Sequence, residues 1–478
     1  MNKTDLLNPG KHPIRVAQFG TGNFLRAFVD YMIDVANEKG VFDGSVVMVK
    51  QVPGGSANDR LHNQGSKYHV VLRGKKDGET YNEVRVVESV LGVVNPYVDY
   101  EAYQTLATLD TLRFLVSNTT ESGITYDETD SFEEKPARSY PGRLVQFLYE
   151  RYQHFNGAAD KGLIILPVEL IENNGKKLKE YVLKLCRLWQ LDEAFIAWVE
   201  SANTFCSTLV DRIVSGKAAD LAETYADDSM YVVAEPFGLW VIESERPIES
   251  EFTLRDAGMP LVFTDDQRPY RERKVRILNG THTAMSLISY LCGKDTVAEA
   301  MGDELLRRYI DKVLFGELVP QVPLKRSDAE DFAHKVCERF ENPFLNHKLL
   351  DISLNSVSKW RARDLSTVKE TYAKGETPVC LVFSLAALLA FDTIASDDGE
   401  QYFGKRDNGE SYPIRDDRRV IESVQAKSLE DVRAILANEA LWGEDLNKLP
   451  GMAELVWNDL KCIREQGGAK AIECVLAK

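Results

Sequence analysis

The chain has 478 residues, 44% hydrophobic and 28% charged, proportions of an ordinary globular protein of roughly two or three domains and not of a disordered chain. Lys and Arg number 58 against 74 Asp and Glu, a formal charge of −16 with no basic cluster, which argues against a nucleic-acid partner. Seven scattered cysteines without a C-x-x-C pair read as reduced thiols, and seven histidines show no metal spacing. The longest uncharged run falls short of the ~20 residues that cross a bilayer. The sequence therefore predicts a cytoplasmic protein with no metal and no membrane attachment.

Residues 14–19 read as a strand and are followed by Gly20-Thr21-Gly22. Apolar residues then recur at Phe24, Phe28, Tyr31, Met32 and Val35, a helical spacing that stops near Gly40, and residues 45–50 read as a second strand. A glycine turn between strand and helix lets a pyrophosphate approach the backbone and meet the positive end of the helix. Leu25 stands where a third glycine would complete the G-x-G-x-x-G pattern. The second strand ends in Lys50-Gln51, without the acidic residue that would hold a ribose 2′-hydroxyl, so NAD is expected and NADP stays open.

Further β-rich runs at 112–117 and 162–167 alternate with helical segments and predict a parallel sheet covered on both faces. From about residue 175 the pattern is mostly helical, with stripes over 176–189, 192–199, 296–314, 329–340, 379–391 and 429–436. Short β-like runs at 230–235 and 239–242 interrupt it, and the charged stretch 397–417 is predicted to be a long surface loop. The expected class is α/β: a Rossmann-like doubly wound sheet with extensions over 1–270, and a mainly α-helical substrate and catalytic domain over 271–478.

The second constellation is Lys274-Val-Arg-Ile-Leu-Asn279-Gly-Thr-His282. On an α-helix Asn279 lies about 140° and His282 about 80° around from Lys274, so all three project within one arc. A lysine can serve as general acid or base, while Asn and His donate hydrogen bonds to a carbonyl.

With these motifs the sequence resembles the long-chain mannitol dehydrogenase family of metal-independent polyol and uronate dehydrogenases. The resemblance rests on Lys274-x4-Asn279-x2-His282, on Gly20-Thr21-Gly22-Asn23-Phe24-x-Arg26-Ala27 and on Val116-Ser-Asn118-Thr119-Thr-Glu121. Val210-Asp211-Arg212-Ile213, Glu235-Pro236-Phe237 and Arg339-Phe340-x-Asn342-Pro343 extend it to most of the chain. It implies that Lys274, Asn279 and His282 are catalytic, and that Gly20, Thr21, Gly22, Asn23, Phe24, Asn118, Thr119 and Glu121 contact the dinucleotide. Asp211 would orient the lysine or bind a substrate hydroxyl.

Within the family the chain is most similar to the branch that reduces tagaturonate to altronate in hexuronate catabolism with NADH. Glu169-Leu170-Ile171 replaces the Asp-Asn-Ile of polyol members, Arg271 replaces a glutamate, and Asp351 replaces an arginine. A cation near the site would suit a substrate carboxylate, and Arg271, Lys359 and Arg361 are the candidates. Fructuronate reduction, mannitol-type polyol oxidation and a non-catalytic dinucleotide sensor are the alternatives. The partners expected are a small sugar acid and, at most, further copies of the chain in a small homo-oligomer.

Overall fold

The strands of the first sheet send neighbouring residues to opposite faces, and both faces are apolar. In the computed structural model Val46, Met48, Phe114, Val116, Ile164 and Leu166 enter one core, while Val47, Val49, Leu115 and Ile165 enter the other. Two buried faces are what a parallel sheet with helices on both sides demands. The structure describes the chain except residues 9, 55, 56 and 120–122 and the side chains of 57–59. It divides into two units, Met1–Arg73 with Thr80–Gln267, and Gly74–Glu79 with Arg268–Lys478.

In the first unit β1 (Ile14–Phe19), β2 (Ser45–Val49), β3 (Val90–Val94), β4 (Phe114–Ser117), β5 (Ile164–Pro167) and β6 (Thr204–Phe205) form a parallel sheet. Its order is β3-β2-β1-β4-β5-β6, so the chain reverses direction across the sheet between β1 and β4. That switch point opens a crevice at the carboxyl ends of the two strands. One face is covered by residues 23–38, the other by Tyr100–Ala107, Tyr140–His154, Asn174–Leu188 and Glu193–Ala202.

Two expectations need correction. Residues 204–264 are not mainly helical: Ser207–Asp211, Leu239–Glu243 and Leu261–Thr264 form a three-stranded sheet, and Val214–Gly216 and Val232–Ala234 join Tyr68–Lys76 and Glu79–Val87 in a four-stranded one. Val232–Ala234 and Leu239–Glu243 fall on the β-like runs expected at 230–235 and 239–242; the other strands are short runs that carry a weak signal beside long helical stripes. Residues 397–417 are not a loop but hold two strands of a small sheet formed by Ser396–Asp397, Tyr402–Lys405 and Ser411–Pro413. Gly399 and Gly409 turn with positive φ, and Tyr412 is buried with its ring stacked on Phe391 at 4.5 Å.

The second unit is built on the helix Val379–Phe391, apolar all round and buried. Its first amides, of Cys380 and Leu381, donate to the Glu317 carboxylate at 2.8 Å each. The equally buried helix Thr281–Leu291 packs on it, and Tyr309 ties the two by donating to Ala284 O and Cys380 O at 3.1 and 3.2 Å. No helix among the described residues is long and apolar enough to cross a membrane.

A buried polar cluster centres on Asp30, within the helical segment 23–38. Asp30 Oδ2 accepts from Tyr68 OH at 2.8 Å and from Gln18 Nε2 at 3.3 Å. Burial pushes the Asp30 carboxyl up to about 7 despite these bonds and the nearby Arg26. The native state then holds a proton that the unfolded chain releases at about 3.9, so this residue's contribution to stability declines as pH rises from about 4 to 7 and is level above. Relative to wild type, Asp30→Asn is expected to gain stability across that interval, which denaturant unfolding at a series of pH values measures. A stability difference that is flat with pH would show that Asp30 is ionised in the native state.

Candidate active site

Gly20 ends β1 with φ +136°, and a Cβ there would stand 2.9 Å from both Asn118 O and Leu25 Cδ1. Its amide donates to Val49 O at 3.0 Å, and the amide of Asn118 donates to Phe19 O at 3.0 Å. The turn is thus clamped between β2 and the segment that follows β4. A Cβ on Gly22 would meet nothing within 4 Å, and no side chain caps the helix start that follows it. Open backbone before uncapped N–H groups, at a topological switch point, fits the pyrophosphate of a dinucleotide. Thr21 and Phe24 are half-buried and Asn23 is exposed; Arg26 is buried and donates to Asn23 Oδ1 and, at 2.5 Å, to Met230 O.

The other expected contacts follow β4. Asn118 Nδ2 donates to Val168 O at 3.1 Å. Thr119 donates through its amide and its hydroxyl to Glu169 Oε1 at 3.0 and 2.9 Å, and Ser117 Oγ donates to Glu169 Oε2 at 3.1 Å. Glu169 is buried, and burial raises its pKa against these bonds. Sequence reading registered this position only as a departure from the polyol pattern, whereas the structure makes Glu169 the anchor of the segment. Leu170, at the place of the polyol asparagine, is exposed. Glu121 lies outside the described residues. Lys50 is buried at the end of β2, and Asp211 is buried at the end of the strand Ser207–Asp211.

In the second unit Lys274–Gly280 is a π-turn running into the α-helix Thr281–Leu291. The angles given above assumed an α-helix and do not apply here. Bonding from i to i+5 puts Asn279 one turn on from Lys274, so the wide turn stacks the two on one face. Ile277 and Leu278 go into the core. Arg276 fastens the turn through a two-pronged pair with Glu370 at 2.5 and 2.7 Å and a bond to Gln321 O at 3.0 Å. Behind it Asp364 comes so near Gly280 that a Cβ would lie 2.7 Å from its Oδ1.

Lys274 and Asn279 are half-buried, whereas His282 is buried with its ring stacked on Phe340 at 4.2 Å and edge-on to His347 at 4.9 Å. Burial, then the charges of His347, Arg339, Arg363 and Lys359, holds its pKa well below the ordinary histidine value, so the imidazole is neutral. Its buried Nε2 has no hydrogen-bond partner among the described residues. Phe340, met above only as part of a motif, is therefore the platform for the histidine ring.

The proposed cations fall in different places. Lys359 is half-buried near His282 and donates to Ile352 O at 2.8 Å. Arg361, two residues on along the same helix, is exposed and is turned to Leu441 O at 3.4 Å and to Gly443. Arg271 sits half-buried in the helix Arg268–Arg273. The residue that joins Lys359 is Arg363, which sequence reading passed over: it lies four residues along and donates to Thr283 Oγ1 at 3.1 Å. No group of three or more His, Cys, Asp or Glu among the described residues could hold a metal ion.

Residues 14–255 match the Mannitol dehydrogenase Rossmann domain and residues 266–464 the Mannitol dehydrogenase C-terminal domain. The chain belongs to the mannitol dehydrogenase family. It is 41% identical to altronate oxidoreductases of Escherichia coli O139:H28 and Klebsiella pneumoniae (strain 342), over 99% of each chain. A D-sorbitol dehydrogenase in substrate-free form superposes with a TM-score of 0.79 at 21% identity, covering 96% of this chain and 95% of that one. The Pseudomonas fluorescens mannitol 2-dehydrogenase, in a ternary complex with NAD and D-mannitol, gives a TM-score of 0.66 at 22% identity, covering 100% and 99%. These structures share the family fold.

A side chain at position 20 must displace backbone in a conformation that L-residues avoid, a strain of about 1–3 kcal/mol. Gly20→Ala is expected to weaken dinucleotide binding by at least about tenfold, the equivalent of 1.4 kcal/mol. A fluorescence titration with a reduced nicotinamide dinucleotide reads this, and unchanged affinity would remove the glycine turn from the binding site.

Proposed function

We propose that the chain reduces D-tagaturonate to D-altronate with NADH, reversibly and without a metal. The observation that carries the chemistry is the neutral His282 whose buried Nε2 has no partner among the described residues, next to a turn that presents Lys274 and Asn279. Full-length similarity to altronate oxidoreductases supports the choice of substrate.

A buried polar atom left unbonded in the free protein needs a ligand, and a carbonyl oxygen meets that need. In the tautomer protonated at Nε2, neutral His282 donates to the ketone oxygen, and Asn279 donates from its amide. Both bonds strengthen as negative charge develops on that oxygen. Protonated Lys274 delivers the proton that makes the hydroxyl; in the reverse direction neutral Lys274 removes it. A nicotinamide dinucleotide, when bound, would supply the hydride. Gly20, Gly22 and the uncapped helix start would hold its pyrophosphate, with Asn118 and Thr119, fixed through Val168 and Glu169, as further contacts.

With tagaturonate the purified protein is expected to consume NADH, read as loss of absorbance at the reduced-nicotinamide band, with NADPH, fructuronate and fructose much slower. Turnover of fructose alone would move the chain to the polyol branch. No turnover of any of these would leave a dinucleotide-binding sensor. Lys274→Ala is expected to lower kcat by at least about 100-fold, the usual contribution of a positioned acid or base. Removing the His282 donor in His282→Phe is expected to cost about 100- to 1,000-fold in kcat. Near-wild-type kcat in either variant would sink the assignment.

A further inference from the structure

Arg363 ends the helix Ser356–Arg363 and is half-buried. Its one hydrogen bond among the described residues is to the neutral hydroxyl of Thr283, the neighbour of His282, at 3.1 Å, and no carboxylate forms an ion pair with it. A guanidinium carries five N–H donors, so most of the fork is unused. The adjacent acid makes no hydrogen bond to the fork: Asp364 is fully buried, and neither of its oxygens has a hydrogen-bond partner among the described residues. Burial pushes the Asp364 carboxyl well above the ordinary carboxylate range against the nearby charge of Arg363, which favours its neutral form.

Removing a charge from water is unfavourable unless an opposite charge or hydrogen bonds compensate. Elsewhere in the same unit arginines follow that rule. Arg276 is paired with Glu370, and Arg406 with Asp295 and Glu410. Arg363 departs from it beside the histidine that polarises the substrate, and its charge and that of Lys359 both bear on that ring. Lys359 has one donor occupied by Ile352 O, and Arg361 is turned to Leu441 and Gly443.

We infer that Arg363 holds the carboxylate of the sugar acid in its unpaired guanidinium fork, with Lys359 as the second cation, and so sets the preference for a uronate over a neutral ketose. This rests on the sugar-acid reading given above. Carboxylate and guanidinium match as two parallel N–H···O bonds, a geometry that an ammonium cannot reproduce.

The test compares kcat/KM for tagaturonate and for D-tagatose, which carries a hydroxymethyl group where tagaturonate has its carboxylate, in wild type, Arg363→Gln and Arg363→Lys. Losing one partner of a largely buried charge pair reduces uronate recognition by about 100-fold. The tagaturonate-to-tagatose ratio is therefore expected to fall about 100-fold in Arg363→Gln and about tenfold in Arg363→Lys, chiefly through KM for tagaturonate. A merely structural role would lower both substrates together and leave the ratio within about threefold of wild type, which overturns the inference. Should Arg363→Gln fail to fold, the ratio in Arg363→Lys decides by the same criterion. Wild-type protein that reduces tagatose but not tagaturonate would instead bring down the sugar-acid reading itself.

Discussion

The π-turn at Lys274–Gly280 is the constraint on which the proposed chemistry depends. In an α-helix Lys274 and Asn279 would diverge by about 140°. The extra residue in the turn stacks them and leaves the following α-helix in phase to bring His282 to Phe340. Such a turn is a local departure from the preferred helix and must be held by its surroundings. Two kinds of contact do this. Arg276, inside the turn, is gripped by Glu370 and Gln321, and Gly280, at its end, lies too near Asp364 to carry a side chain. Neither contact needs to touch the substrate, yet each fixes the spacing between groups that do.

The glycine turn of the first unit meets a similar problem in another way. Leu25 stands where a third glycine is usual, and its Cδ1 occupies the space that a Cβ on Gly20 would need. The demand for close packing has thus moved from position 25 to position 20. Gly22 keeps its surroundings open, so one glycine permits packing and the other permits approach of a ligand. Arg26 completes the turn from beneath by holding Asn23.

Where a local rule applied, the sequence was legible. Strands β1, β2, β4 and β5 and the helices Val379–Phe391 and Leu429–Leu436 follow from periodicity, and their order yields the doubly wound sheet. In the extension sheets the strands Val232–Ala234 and Leu239–Glu243 fall on the β-like runs at 230–235 and 239–242, whereas the other strands, short and paired across long stretches of chain, leave little local signal. Residues 296–314 read as a single helical stripe, but Asp303 breaks it by capping a new helix through the amides of Leu305 and Leu306. The π-turn has no composition signal of its own. Arg363 did have one: a residue four places from Lys359 shares its helix face, and one two places away, such as Arg361, does not. Glu169 was hidden because its partners, Ser117 and Thr119, come from another strand end.

The electrostatics of the second unit join these observations. A histidine buried among cations is disfavoured as imidazolium, so the burial of the ring, and then the charges of His347, Arg339, Arg363 and Lys359, keep His282 neutral, the form that can donate one proton without carrying charge. The same positive field favours an anionic substrate. Asp364 must then be neutral for the arrangement to work, since an ionised carboxylate behind Gly280 would offset the charge of Arg363 and raise the basicity of the histidine. Full burial, with no hydrogen-bond partner among the described residues, favours that form. Asp364 acts on the turn through its volume, close against Gly280, and the cations supply the field.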